Sequence, residues 1–144
     1  MIELKKDILL MTVDAKRFPE GIQEAFDELR KRLPDGDERM PYGISKPERD
    51  GRIVYRAGVE PSDESEPASC GCGTTVLKKG IYYAERMRDW QFNIGGIGVV
   101  FERLLAHDQL DPQSPCIEVY HSRSELLCMV RIVPKHFSTF IVED

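Results

Sequence analysis

Phe26-Asp27-Glu28-Leu29 returns as Phe101-Glu102-Arg103-Leu104 at an offset of 75 residues, and Pro41-Tyr42-Gly43-Ile44 falls near Pro115-Cys116-Ile117-Glu118 at an offset of 74. Two short resemblances carried at one spacing read as an internal duplication. Around the first copy, Leu9, Met11 and Val13 alternate with Leu10, Thr12 and Asp14, the period of a strand. Ile22, Phe26, Leu29 and Leu33 then share one helical stripe, closed by Pro34-Asp35-Gly36. Tyr42 to Lys46 and Arg52 to Glu60 are extended segments, with the hairpin signal Asp50-Gly51 between them. Around the second copy, Thr74 to Glu85 reads as a strand. Ile94, Ile97, Phe101 and Leu104 read as a second stripe, capped by Asn93. Cys116 to His121 and Leu126 to Val133 read as a second hairpin. Residues 61–73 and 108–115 have loop and turn composition. From Pro134 onward, Phe137, Phe140 and Ile141 predict a tail that docks.

The order is strand, helix, strand, strand, twice over. A single βαββ unit cannot bury its own apolar faces, whereas two side by side can. The predicted fold is therefore α+β: duplicated βαββ units with pseudo-twofold symmetry, one antiparallel sheet and two helices on one of its faces. The other face is then free to form a ligand groove along the pseudo-twofold axis. An unrelated α+β sandwich is the alternative.

A chain of 144 residues suggests a single domain, 1–144. Charged residues make up 31% with both signs interspersed, which excludes wholesale disorder and a membrane bundle. The net charge of −5 argues against direct nucleic-acid binding, which needs clustered Lys and Arg. The densest basic run, Arg30-Lys31-Arg32, ends the first helix, where it complements the helix dipole. Ile8-Leu9-Leu10-Met11 is too short for a secretory or membrane-spanning segment, and four Cys do not make a disulfide scaffold. The sequence reads as cytoplasmic, with no membrane partner and no cofactor.

Glu118 is the main candidate for chemistry. Strand alternation sends Ile117 and Val119 to one face, expected to be the helix-covered core. Glu118, Tyr120 and Cys116 go to the other. A carboxylate beside an aromatic ring can neutralise a buried cation, and ring faces attract the same cation. A surface glutamate, or one paired with Arg131, is the alternative. Tyr82 and Tyr83 point to opposite faces, so at most one lines any given surface. Tyr42, Tyr55, Trp90 and Phe92 are further candidate aromatic walls. Gly95-Gly96-Ile97-Gly98 lacks a phosphate-loop fingerprint and suggests close packing or close ligand approach. Cys70-Gly71-Cys72 offers two thiols where a zinc site needs four ligands, and the histidines have no ligand spacing, so no metal is predicted. No nucleophile elbow occurs, and no catalytic residue is assigned.

Tyr42-Gly43-Ile44, Tyr55-Arg56-Ala57-Gly58-Val59-Glu60, Lys79-Gly80-Ile81-Tyr82 and Pro115-Cys116-Ile117-Glu118-Val119-Tyr120 together resemble the GyrI-like effector-binding family. This is the ligand-binding domain of many AraC-type and MerR-type multidrug regulators. The resemblance runs over nearly the whole chain and implies the same duplicated fold. It implies a groove for amphipathic, lipophilic cations, with Glu118 as charge partner. By the same resemblance Tyr120, Tyr82 and Trp90 are wall candidates. The family often carries an acid on the last hairpin strand. Here that strand reads Leu127-Cys128-Met129-Val130, so Met129 is expected as an adaptable apolar wall instead. The leading expectation is a standalone drug- or effector-binding domain related to transcription regulation. A second copy of the chain, a separate DNA-binding protein or gyrase are its candidate macromolecular partners. The alternatives are a small hydrolase of cyclopropane-containing electrophiles using Glu118, or a gyrase-inhibitor-like interaction protein.

Overall fold

The two copies run in the same order, each one short strand longer than the sequence pattern predicts. A computed structural model describes residues 1–134. The first copy comprises β1 (Ile2–Leu4), β2 (Ile8–Asp14), α1 (Ile22–Arg32), β3 (Tyr42–Pro47) and β4 (Ile53–Val59). A short helix, α2 (Glu66–Ser69), leads to the second copy. That copy comprises β5 (Gly73–Leu77), β6 (Gly80–Arg88), α3 (Gly95–Leu105), β7 (Cys116–Tyr120) and β8 (Glu125–Ile132). A 3₁₀ turn, Trp90–Phe92, precedes α3. The expected strand Thr74 to Glu85 is thus two strands, broken at Lys78-Lys79. The docking tail expected beyond Pro134 lies outside the described residues.

All eight strands form one antiparallel sheet in the order β1-β6-β8-β7-β3-β4-β2-β5. The pseudo-twofold axis falls between β7 and β3. The short strands are exchanged: β1 opens the first copy but pairs with β6, and β5 opens the second but pairs with β2. Only residues 5–7 link β1 to β2, and only residues 78–79 link β5 to β6. Three Cα steps from Leu77 to Gly80 reach at most about 11 Å. Opposite edges of the sheet are therefore tethered to each other, and the sheet must curl into a half-barrel. Across this seam the Lys79 amide donates to Asp7 Oδ1 at 2.8 Å.

Curling gives the two faces different fates. The face away from the helices closes on itself around Leu10, Tyr42, Ile44, Leu77, Tyr82, Ile117, Val119, Leu127 and Met129. On the other face, Ala25 and Leu29 of α1 pack on Met11, Val13, Ala57 and Val59 of β2 and β4. Val100, Phe101 and Leu104 of α3 pack on Leu126, Cys128 and Val130 of β8. The helices cover the outer strands of each copy and leave the central pair, β3 and β7, between them.

Several expectations are corrected by this arrangement. Ile117 and Val119 do face a core, but it is the helix-free interior of the curled sheet. Glu118 and Tyr120 face the helices. The face expected to hold a groove is instead filled once the sheet curls, and the Glu118 face is the one that α1 and α3 flank. Nor do the glycines of α3 mark close packing throughout, since a Cβ at Gly95 or Gly98 would meet nothing within 4 Å. Helix α3 begins at Gly95 with Ile94 as its N-cap residue, so Asn93 precedes the cap.

Candidate aromatic-carboxylate site

The register of the central strands builds the site. Glu118 on β7 is paired with Gly43 on β3 and with Cys128 on β8. One step further out, Gly43 pairs with Ala57 on β4 and Cys128 pairs with Glu85 on β6. Paired residues project from the same face, so Glu85, Cys128, Glu118, Gly43 and Ala57 form one transverse row beneath the helices. Glycine at position 43 is a requirement of this row. A Cβ there would collide with both the Tyr55 hydroxyl and the Glu118 carboxylate. Tyr55, anchored on β4, can therefore extend over β3 to reach β7.

It donates from its hydroxyl to Glu118 Oε1 at 2.6 Å. Tyr120, two residues along the same strand as Glu118, donates to the same oxygen at 2.7 Å. Glu118 is half-buried. Its two hydrogen-bond donors among the described residues are both neutral phenols. Arg131, the cation considered as its partner from the sequence, lies elsewhere and pairs with Asp111 at 3.0 Å. The second carboxylate of the row, Glu85, is held by Arg103 of α3.

Burial raises the Glu118 pKa above the ordinary carboxylate range, and the two tyrosine hydrogen bonds act in the opposite direction. Burial, with the Glu118 charge second, also drives the Tyr55 and Tyr120 hydroxyls well above the usual phenol range, so both stay donors. The same two causes push the Cys116 thiol up to about 11 and the Cys128 thiol up to about 12. Both cysteines beside Glu118 are thus uncharged and poor nucleophiles near neutral pH. Among these groups Glu118 is the one whose ionised form could pair with a cation.

Five aromatic rings gather around it. Phe26 of α1 meets Tyr55 edge-on at 6.1 Å and Tyr120 at 5.6 Å between ring centroids. Phe18, in the segment before α1, stacks on Tyr55 at 5.9 Å. Trp90 meets Tyr120 at 5.1 Å from the α3 side. Both copies of the duplication therefore contribute rings. Of the residues expected to line a ligand site, Phe92 is exposed, while the structure unites Glu118, Tyr55, Tyr120 and Trp90. It does not bring Tyr82, Tyr42 or Met129 to them. All three project into the core on the opposite face, because their register positions alternate out of the Glu118 row. Phe18 and Phe26 carried no signal as site residues. Phe26 in particular reads as one more member of a core stripe. Among the described residues, no group of three or more metal-ligating side chains occurs. No helix there is long and apolar enough to cross a membrane.

No family model matches the sequence, and no curated protein matches it. Solved structures do. The chain is similar to SAV2435 bound to tetraphenylphosphonium, at 12% identity over 94% of each chain and a TM-score of 0.63. It is similar to the integron cassette protein VCH_CASS2 from the mobile metagenome of Vibrio cholerae, at 12% identity over 92% of this chain and 94% of the other, TM-score 0.65. It is also similar to a candidate transcription regulation protein from Staphylococcus aureus MU50, at 14% identity over 90% and 95%, TM-score 0.52. At such identities the likeness establishes the fold, and that fold is the one the GyrI-like resemblance implied.

Proposed function

We propose that this protein binds amphipathic, lipophilic cations between α1 and α3, with Glu118 as the charge partner. The observation that carries the reading is a half-buried carboxylate whose donors are two neutral phenols, set among aromatic rings. Withdrawing an ionised carboxylate from water is costly unless a positive charge compensates it. A cation entering the groove removes that cost and gains attraction to the ring faces. Apolar burial adds roughly 25 cal/mol per Å2 of ligand surface covered. The nearby thiols and phenols are held protonated, which disfavours a thiolate or phenolate nucleophile near neutral pH. That SAV2435, a protein of the same fold, is bound to tetraphenylphosphonium makes this cation the natural probe.

The test is calorimetric titration with tetraphenylphosphonium and with neutral triphenylphosphine oxide, on the wild type and on Glu118→Gln. The expected result is saturable binding of the cation, weakened about tenfold or more in Glu118→Gln, with little change for the neutral compound. A tenfold change corresponds to about 1.4 kcal/mol. Equal losses for both compounds would remove Glu118 from the role of charge partner.

A further inference from the structure

Resting on that reading, we infer that the preferred ligand is a protonated amine carrying both an N–H and a neutral hydrogen-bond acceptor, rather than a bare quaternary cation. Two polar groups of opposite sense are left over at the site. The first is the far oxygen of Glu118. Both tyrosine hydroxyls converge on Oε1, while Oε2 has no hydrogen-bond partner among the described residues. The second is the indole nitrogen of Trp90. Nε1 is buried and is without a hydrogen-bond partner among the described residues, although the ring packs 5.1 Å from the tyrosine that holds Glu118.

Each of these two groups has a chemical complement. A carboxylate oxygen accepts a charge-assisted hydrogen bond from an ammonium N–H, and such a bond is about twice as strong as a neutral one. A quaternary ammonium or phosphonium supplies charge but no donor, so it leaves Oε2 unfilled. A buried N–H without an acceptor has lost its hydration and gained nothing in return. A ketone, ether or amide oxygen on the ligand relieves that cost at Trp90. Aromatic surface on the ligand then packs against the partly exposed rings of Phe26 and Tyr120. Selectivity in such a site comes from the partners left unpaired by the wrong ligand.

A two-by-two set of probes isolates both contacts. The probes are protonated 4-benzoyl-N,N-dimethylbenzylamine, its methylene analogue 4-benzyl-N,N-dimethylbenzylamine, and the N-methylated quaternary form of each. Tetraphenylphosphonium serves as the bare-cation reference, and all are titrated by calorimetry at pH 7. The wild type is expected to bind the protonated ketone tightest, with about tenfold loss on N-methylation and about tenfold loss on replacing the carbonyl by methylene. In Trp90→Phe the carbonyl preference disappears and the N–H preference stays. In Glu118→Gln the preference for the protonated amine over its quaternary form shrinks and the carbonyl preference stays. Circular dichroism checks that both variants are folded. Equal affinity across the four probes with tetraphenylphosphonium still bound would overturn this inference alone. A carbonyl preference that survives Trp90→Phe would overturn the assignment of Nε1. If neither tetraphenylphosphonium nor any of the four binds, the cation-binding reading itself fails.

Discussion

The two faces of the central strands carry the same residue types and use them differently. On the helix-free face, the Tyr82 hydroxyl donates to the Lys78 backbone carbonyl at 2.6 Å and the Tyr42 hydroxyl reaches Glu60 at the rim, at 3.4 Å. Both rings sit in a closed apolar core. On the helix-bearing face, Tyr55 and Tyr120 converge on one carboxylate oxygen. A tyrosine whose hydroxyl is satisfied by nearby backbone serves the fold. A tyrosine pair that holds a charge without neutralising it leaves that charge available to something else. The difference originates in shape. One face closes because the strands β1 and β5 are exchanged between copies. The other stays parted because each helix covers only its own copy.

The largest expected effect breaks the closed face. Ile117→Ala, at a fully buried position, removes packing from the interior of the half-barrel and should cost about 2–5 kcal/mol of stability in denaturant unfolding. In the fraction still folded, the ratio of affinities for cationic and neutral ligands should be unchanged. A changed ratio would mean that the two faces are not independent.

Gly43→Ala should come next. The new methyl competes with the Tyr55–Glu118 bond for one space. Overpacking of this kind costs about 1–3 kcal/mol, and cation affinity should fall with it. A variant as stable as the wild type that binds normally would show that the Tyr55 bridge is dispensable.

Glu118→Gln sharpens the contrast further, because it should lose cation affinity without losing stability. Burial raises the Glu118 pKa in the folded chain, so between the unfolded and folded values the native state holds more protons than the unfolded state. Stability therefore falls as pH rises from the ordinary carboxylate range through the raised folded value. Glu118→Gln should remove this component of the pH dependence, and its stability at pH 7 should equal or exceed that of the wild type. Cation affinity in the wild type should run the other way, rising with pH as Glu118 ionises. Denaturant midpoints and calorimetric titrations across pH 4–8 check both signs.

The smallest effects come from single hydroxyls. Tyr82→Phe should cost about 1 kcal/mol of stability, the net worth of one hydrogen bond, and leave binding alone. Tyr55→Phe removes a bond that lowers the Glu118 pKa, so the pH midpoint for cation binding should move upward. Exchanged outcomes for these two substitutions would sink the distinction between the faces.

Much of this was legible in the residues. The offsets of 75 and 74 predict two copies of one unit, and the strand and helix periods place α1, α3 and both hairpins close to their observed bounds. Glu118 and Tyr120 announce themselves by alternating with Ile117 and Val119 in a five-residue strand. Local pattern could not say which face the helices would cover, because alternation defines two faces and labels neither. Tyr42, proposed for its aromatic ring, and Tyr82 and Met129, proposed from the family resemblance, were misplaced because neither signal labels the faces.

What the sequence determined by itself is set by short-range periodicity: the repeat, the α+β class, the identity of the central strand and the carboxylate on it. What only the tertiary structure decided depends on contacts between segments far apart in the chain. Residue 43 had to be opposite residue 118 for the absence of a side chain to matter. Tyr55 had to cross a strand, 63 positions from its partner, to hold the charge. The exchange of β1 and β5 between copies had to curl the sheet before one face could be sealed and the other left parted. Such pairings follow from the closure of the whole sheet, which no window of local sequence contains.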